Sequence, residues 1–159
     1  MPDRSLDSLS SDFYPLACEW IARVTARGIA VMVVQTSRTP AEAAANIANG
    51  TSKLSKSLHL PRALRWNAVR PLSAADADKA DAMDIAPWAV WQLHGDDKLQ
   101  WDTKDPAWGI IGEEAERVGL RWGGRWRDPF DPGHGELVLP WSATTLAEER
   151  ARTWPVFRA

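Results

Sequence analysis

Apolar residues recur at helical spacing near the start of the chain. Phe13, Leu16, Ala17, Trp20, Ile21 and Val24 share one face between residues 12 and 27, which predicts an amphipathic helix with Asp12 as N-cap and Gly28 as stop. Cys18 falls on the apolar side of that helix and is expected to be a small buried hydrophobe. The pattern then changes: Ile29 to Val34 is a β-branched and apolar run, the signature of a buried strand. Thr39-Pro40-Ala41-Glu42 has the form of a capping box with Pro in the first turn, so a second helix is predicted from there to Asn49-Gly50. Arg38 therefore stands at a strand-to-helix junction.

Beyond residue 50 the signals weaken and then return. Thr51 to Ser57 is polar and leads to His59, and residues 60 to 78, with Pro61, Pro71, Trp66 and several Arg, predict an irregular flap. Whether that flap is a surface insertion or a grip on substrate is equally open in the sequence. Asp84 sits in a short apolar run ending at Pro87, and Gly95-Asp96-Asp97 lies between Val90 to His94 and Lys98 to Trp101 as a hairpin signal with His94 exposed at the turn. Asp105-Pro106 opens a helix through Trp108, Ile111, Ala115 and Val118 to Gly119. Leu120 to Trp122 and His134 to Leu139 read as short strands, and residues 142 to 153 as a last helix. The sum is an α+β fold: a small, mainly antiparallel sheet carrying Arg38, Asp84 and His134 at one side, with helices packed behind it.

Composition adds bounds. A chain of 159 residues, 45% hydrophobic and 25% charged, suits a single domain with a real core. A net charge of −2 gives no electrostatic reason to expect nucleic acid or an anionic membrane as partner. One Cys rules out an intramolecular disulfide framework. The N-terminus lacks the basic start and apolar core of a signal peptide, and no apolar run approaches the ~20 residues of a membrane span. The expectation is a monomer made in the cytoplasm, without stable membrane association. Ten Trp tempt a glycan-stacking reading; core packing explains Trp20, Trp108 and Trp154 more simply, and leaves Trp66 and Trp141 able to reach a sugar.

The candidate chemistry lies in Trp122 to Glu136, where Asp131 precedes His134 by three residues in a turn-forming segment that runs into an apolar strand. A charge inside the apolar run at Asp84 needs a partner, and a divalent cation would be one. His59, Asp84 and His134, with one position left to water, give the ligand count of a catalytic zinc site; a structural site would more commonly use cysteines.

These residues resemble the zinc peptidases of peptidoglycan, the D-alanyl-D-alanine carboxypeptidases and L-alanyl-D-glutamate endopeptidases, which include many phage endolysins. The elements carrying the resemblance are Thr36-Ser37-Arg38, Ser57-Leu58-His59, Ala82-Met83-Asp84, Trp122-Gly123-Gly124-Arg125-Trp126 and Asp131-Pro132-Gly133-His134, in the family's order. The resemblance implies a hedgehog-like fold, zinc held by His59, Asp84 and His134, Asp131 as general base, and Arg38 as a catalytic and substrate contact. It also implies substrate contacts at Ser57 and Trp126, and a peptidoglycan stem peptide as substrate. Asp rather than Glu at position 131 is similar to the endopeptidase branch. The implied activity is an endopeptidase of phage-lysin type, acting on the wall after release from the cell. A carboxypeptidase or dipeptidase of the same family, or a zinc-stabilised binding protein, is the alternative. Two departures stand out. His59 and Asp84 lie 25 residues apart, much further than the family's usual spacing, so residues 60 to 78 read as an insertion, and Asp81 offers a carboxylate competing with Asp84.

Overall fold

Helix α1, Tyr14–Ala26, buries Ala17, Trp20 and Val24 along one stripe, with Phe13 continuing that stripe just before it. The computed structural model describes residues 1–52, 57–69, 71–89, 98–139 and 146–151. Gly28 ends α1 at φ +85°, a left-handed conformation that glycine adopts without steric cost. The expected N-cap is corrected. Asp12 makes no capping bond; its carboxylate accepts from Arg62 Nη2 at 2.8 Å, and Ser10 serves the entry turn instead, its hydroxyl accepting from the Phe13 N–H at 3.2 Å. A charge-assisted bond to a distant guanidinium has won over a local amide. Cys18 is also corrected, being half-buried rather than buried, because it sits beside the apolar stripe and not within it.

Strand β1, Val31–Gln35, leads to helix α2, Pro40–Ala48, whose capping box forms as expected: the Thr39 hydroxyl accepts from the Glu42 N–H at 3.2 Å and the Glu42 carboxylate accepts from the Thr39 N–H at 2.8 Å. Strands β2 (Ala82–Pro87), β3 (Arg121–Trp122) and β4 (His134–Glu136) complete an antiparallel sheet in the order β1-β2-β4-β3. In the β2–β4 register Asp84 faces His134. The pairing of β1 with β2 is irregular between Val33 and Gln35, where the chain turns toward Arg38.

Helix α3, Ala107–Arg117, packs on α1 and closes the core of Trp20, Met83, Ile85, Trp108, Ile111 and Trp122. Each of the three buried indoles has its N–H satisfied by a carbonyl: Trp20 by Ile111, Trp108 by Asp102 and Trp122 by Pro132. Of the expected hairpin, Trp88 and Leu99 form an antiparallel bridge at the base, while residues 90 to 97, including His94, lie outside the described residues. Helix α4 is described over Leu146–Ala151; Trp141 and Trp154 lie outside the described residues.

The described part of residues 60 to 78 is irregular, as expected, but it is pinned rather than a loose flap. Arg62 and Arg65 are both 3% exposed, and both reach Asp81, which is fully buried. Arg62 also donates to the Ser10 hydroxyl and to Asp76. Removing one member of a buried ion-pair cluster strands the charge of the others, at about 3 to 5 kcal/mol. Arg62→Ala should therefore lose about 3 kcal/mol or more of unfolding free energy in a denaturant titration, whereas Lys79→Ala, on the surface nearby, should change it by under about 0.5 kcal/mol. Equal midpoints for the two variants would sink this account of the cluster.

Candidate metal centre and active site

Three segments deliver three ligand atoms to one point. His59 comes from the loop after residue 57, Asp84 from β2 and His134 from the first position of β4. His59 Nε2 lies 3.1 Å from Asp84 Oδ1 and 3.3 Å from His134 Nδ1, and His134 Nδ1 lies 2.9 Å from Asp84 Oδ1. Ligand atoms about 2.0–2.1 Å from a tetrahedral centre lie about 3.3 Å from one another, so the spacing fits such a cation. The donor set, two imidazole nitrogens and one carboxylate oxygen, is the chemistry that centre requires.

The tautomers fit as well. His59 Nδ1 is 2.6 Å from the Thr36 carbonyl oxygen, which only accepts, so Nδ1 carries the proton and Nε2 keeps its lone pair facing Asp84 and His134. His134 Nε2 is 2.8 Å from Glu136 Oε2, which by the same argument leaves Nδ1 as the donor to a metal. Glu136 lies outside the motif residues. Residues two apart on a strand project from the same face, and the spacing of Glu136 from a ligand His was the available signal.

Electrostatics is consistent with this arrangement. Burial alone would raise the Asp84 carboxyl, but the charges and hydrogen bonds of His59 and His134 hold it well below the usual carboxylate range. Burial alone would lower His134, yet hydrogen bonds to Asp84 and Glu136 raise it well above the ordinary imidazole value. Burial, and then the charge of Asp84, raise Asp131 above the ordinary Asp value. A raised carboxyl is better matched to taking up a proton near neutral pH.

The other expected site residues surround this group. Arg38, Ser57 and Asp131 line the same cleft of about 250 Å³ as the two histidines and Asp84. Arg38 Nη2 is 4.0 Å from Asp84 Oδ2, and Gln35, unforeseen in the sequence, holds the Nε and Nη2 edge of the guanidinium at 3.1 and 2.6 Å. A substrate carboxylate would therefore meet the other edge. Ser57 is buried, its hydroxyl accepting from the His59 N–H at 3.3 Å. The Trp126 ring lies 5.0 Å from that of His134. The competing carboxylate is accounted for: Asp81 faces Arg62, Arg65 and Ser10, away from both histidines.

The two motif glycines have a packing reason. A Cβ on Gly123 would come 2.4 Å from the Asp131 carbonyl oxygen and 3.0 Å from His134 Cβ, and one on Gly124 would overlap the Trp122 ring at 2.2 Å. The loop bearing Asp131 and His134 thus lies directly against Gly123, and the Gly123 carbonyl accepts from the Asp131 N–H at 3.2 Å.

Residues 79–137 match a family model described as D-alanyl-D-alanine carboxypeptidase. The chain is 32% identical over 125 residues to the L-alanyl-D-glutamate peptidase of Escherichia phage T5, an alignment covering 67% of this chain and 74% of that protein. The crystal structure of the L-Ala D-Glu endopeptidase ChiX of Serratia marcescens superposes with a TM-score of 0.53 at 16% identity, covering 87% of this chain and 89% of that one, which fixes the fold. The chain belongs to the family of D-alanyl-D-alanine carboxypeptidases and L-alanyl-D-glutamate peptidases, and it is a peptidase.

Proposed function

We propose that the protein is a zinc-dependent endopeptidase that cleaves the L-alanyl-D-glutamate bond of peptidoglycan stem peptides, in the manner of a phage lysin. The observation that carries this reading is the meeting of His59 Nε2, Asp84 Oδ1 and His134 Nδ1 within 3.3 Å of one another in a cleft that also holds Arg38 and Asp131. The specific bond is supported by the relative from phage T5, whose name states that activity, and by Asp rather than Glu at position 131.

Zinc bound by His59, Asp84 and His134 would supply a Lewis acid that acidifies a water and polarises the peptide carbonyl. Asp131, raised by burial and by Asp84, takes the proton from the attacking water and returns it to the leaving amine. Arg38, held by Gln35, offers its free edge to a carboxylate or to the oxygen of the carbonyl under attack. The Thr36 carbonyl and Glu136 keep both imidazoles in the tautomer that the reaction requires. Ser57 lines the cleft, and the Trp126 ring lies beside His134. Among the described residues no helix is long and apolar enough to cross a membrane; the working site is the cell wall, reached after release of the chain from the cell.

A second reading has its own support, since the matching family model is described as a carboxypeptidase. The two separate on products. Zinc-loaded protein incubated with purified peptidoglycan should generate new amino-terminal glutamate. Release of free D-alanine without new glutamyl termini would transfer the chain to the carboxypeptidase reading.

A further inference from the structure

The cleft does not end at its carboxylates. Beyond Asp84 and Asp131 lies a second hollow of about 170 Å³, lined by Val34, Ile85, Trp101, Thr103, Trp108 and Pro132; Asp84 and Asp131 are the residues it shares with the first. We propose that this hollow holds the acyl side of the scissile bond, namely the alanine together with the lactyl-linked amino sugar on its amine, with Trp101 as the face against which the sugar lies. This rests on the endopeptidase reading above.

The two hollows differ as the two halves of such a substrate do. The first presents Arg38, Thr51, Ser52 and Ser57, and matches a glutamyl residue that carries a free carboxylate. Among the described residues the second has no charged side chain apart from the shared aspartates, and it matches an apolar residue. A peptide laid across Asp131 reaches into both, and only one direction sets the carboxylate beside the guanidinium. Reversing the chain would place that carboxylate in an apolar hollow beside two acids.

Size argues for more than alanine. A methyl group is close to the size of a water, whose share of liquid volume is about 30 Å³, so it would leave most of the hollow unfilled. The group next to alanine on the acyl side is the lactyl ether of the sugar. Trp101 is suited to meet it. The ring is 52% exposed, and it stacks at 6.3 Å and 29° on Trp108, which is only 1% exposed and has its own N–H tied to the Asp102 carbonyl. An exposed indole backed by a fixed buried one is a stiff apolar plane at the edge of the hollow.

N-acetylmuramoyl-L-alanine, the acyl-side product, serves as probe because its binding needs no cleavage. Titration calorimetry on zinc-loaded protein should detect it on the parent, with affinity about tenfold lower in Trp101→Ala and intermediate in Trp101→Phe. The ratio of kcat/KM for a muramoyl-linked stem peptide over the free peptide should collapse in Trp101→Ala. No binding to the parent, or affinity indifferent to Trp101, would overturn the assignment. Trp101-dependent binding without glutamyl cleavage keeps the hollow and discards the bond; glutamyl cleavage with no dependence on Trp101 does the reverse.

Discussion

Asp131→Asn should fold and bind metal like the parent and lose on the order of 100-fold or more in turnover, the usual range for a missing general base. The amide matches the carboxylate in shape, so the backbone contacts of the loop, the Asp131 N–H to the Gly123 carbonyl and the His134 N–H to the Asp131 carbonyl, remain available. Zinc content, melting temperature and turnover measured on this one variant separate three roles. A fourth ligand would lose metal along with activity. A residue that only supports the turn would lose stability and keep its rate per folded molecule. Full turnover in the variant would remove the base from the proposed mechanism.

Loss of a ligand histidine should be more severe still. The parent should carry about one zinc per chain, and His59→Ala or His134→Ala should abolish both metal and hydrolysis. Glu136→Gln should weaken affinity by about 10- to 100-fold, the usual effect of altering a partner that orients a ligand imidazole. Affinity should also fall with acid. His134 in the metal-free site has its pKa raised above the ordinary value, and zinc must displace that proton, so binding should start to weaken at a pH above the ordinary imidazole range. The metal-free protein follows the opposite course: a raised folded-state pKa gives stability that is full below the unfolded value of about 6.5 and is lost as pH rises through the folded value. Chelator competition across pH measures the first trend and thermal melts of apo protein the second. Unchanged zinc content in both histidine variants would put the site elsewhere.

Those residues became legible in the sequence through order, not through any single motif. The strand periodicity and the Thr39 capping box placed Arg38 correctly at its junction, because caps and strands are decided locally. The short strands expected around Asp84, at Leu120 to Trp122 and from His134 onward are ones that pair in the sheet. What was not legible depends on partners distant in sequence. Asp12 looks like a cap until Arg62 approaches from across the fold, and residues 60 to 78 look loose until Asp81 is seen to be buried beneath two guanidiniums. Gln35 and Glu136 carry no motif; their roles exist only once a strand bend and a strand face bring them to Arg38 and His134.

The backbone of Asp81 has a consequence for how such a chain changes over generations. Its N–H donates to the Leu58 carbonyl and its carbonyl accepts from the Leu137 N–H, each at 2.9 Å, so one residue ties the loop that bears His59 to the end of the strand that bears Glu136. The excursion between Leu58 and Asp81 departs and returns at that hydrogen bond, and the Arg62 N–H to the Lys79 carbonyl and the Ala63 N–H to the Ala77 carbonyl tie its two limbs together further out. Beyond those bonds its length can grow or shrink at little entropic cost, which suits the 25-residue separation of His59 and Asp84. Its composition is less free. Asp81 without Arg62 and Arg65 is a stranded buried charge, so lineages that keep Asp81 are expected to keep both arginines.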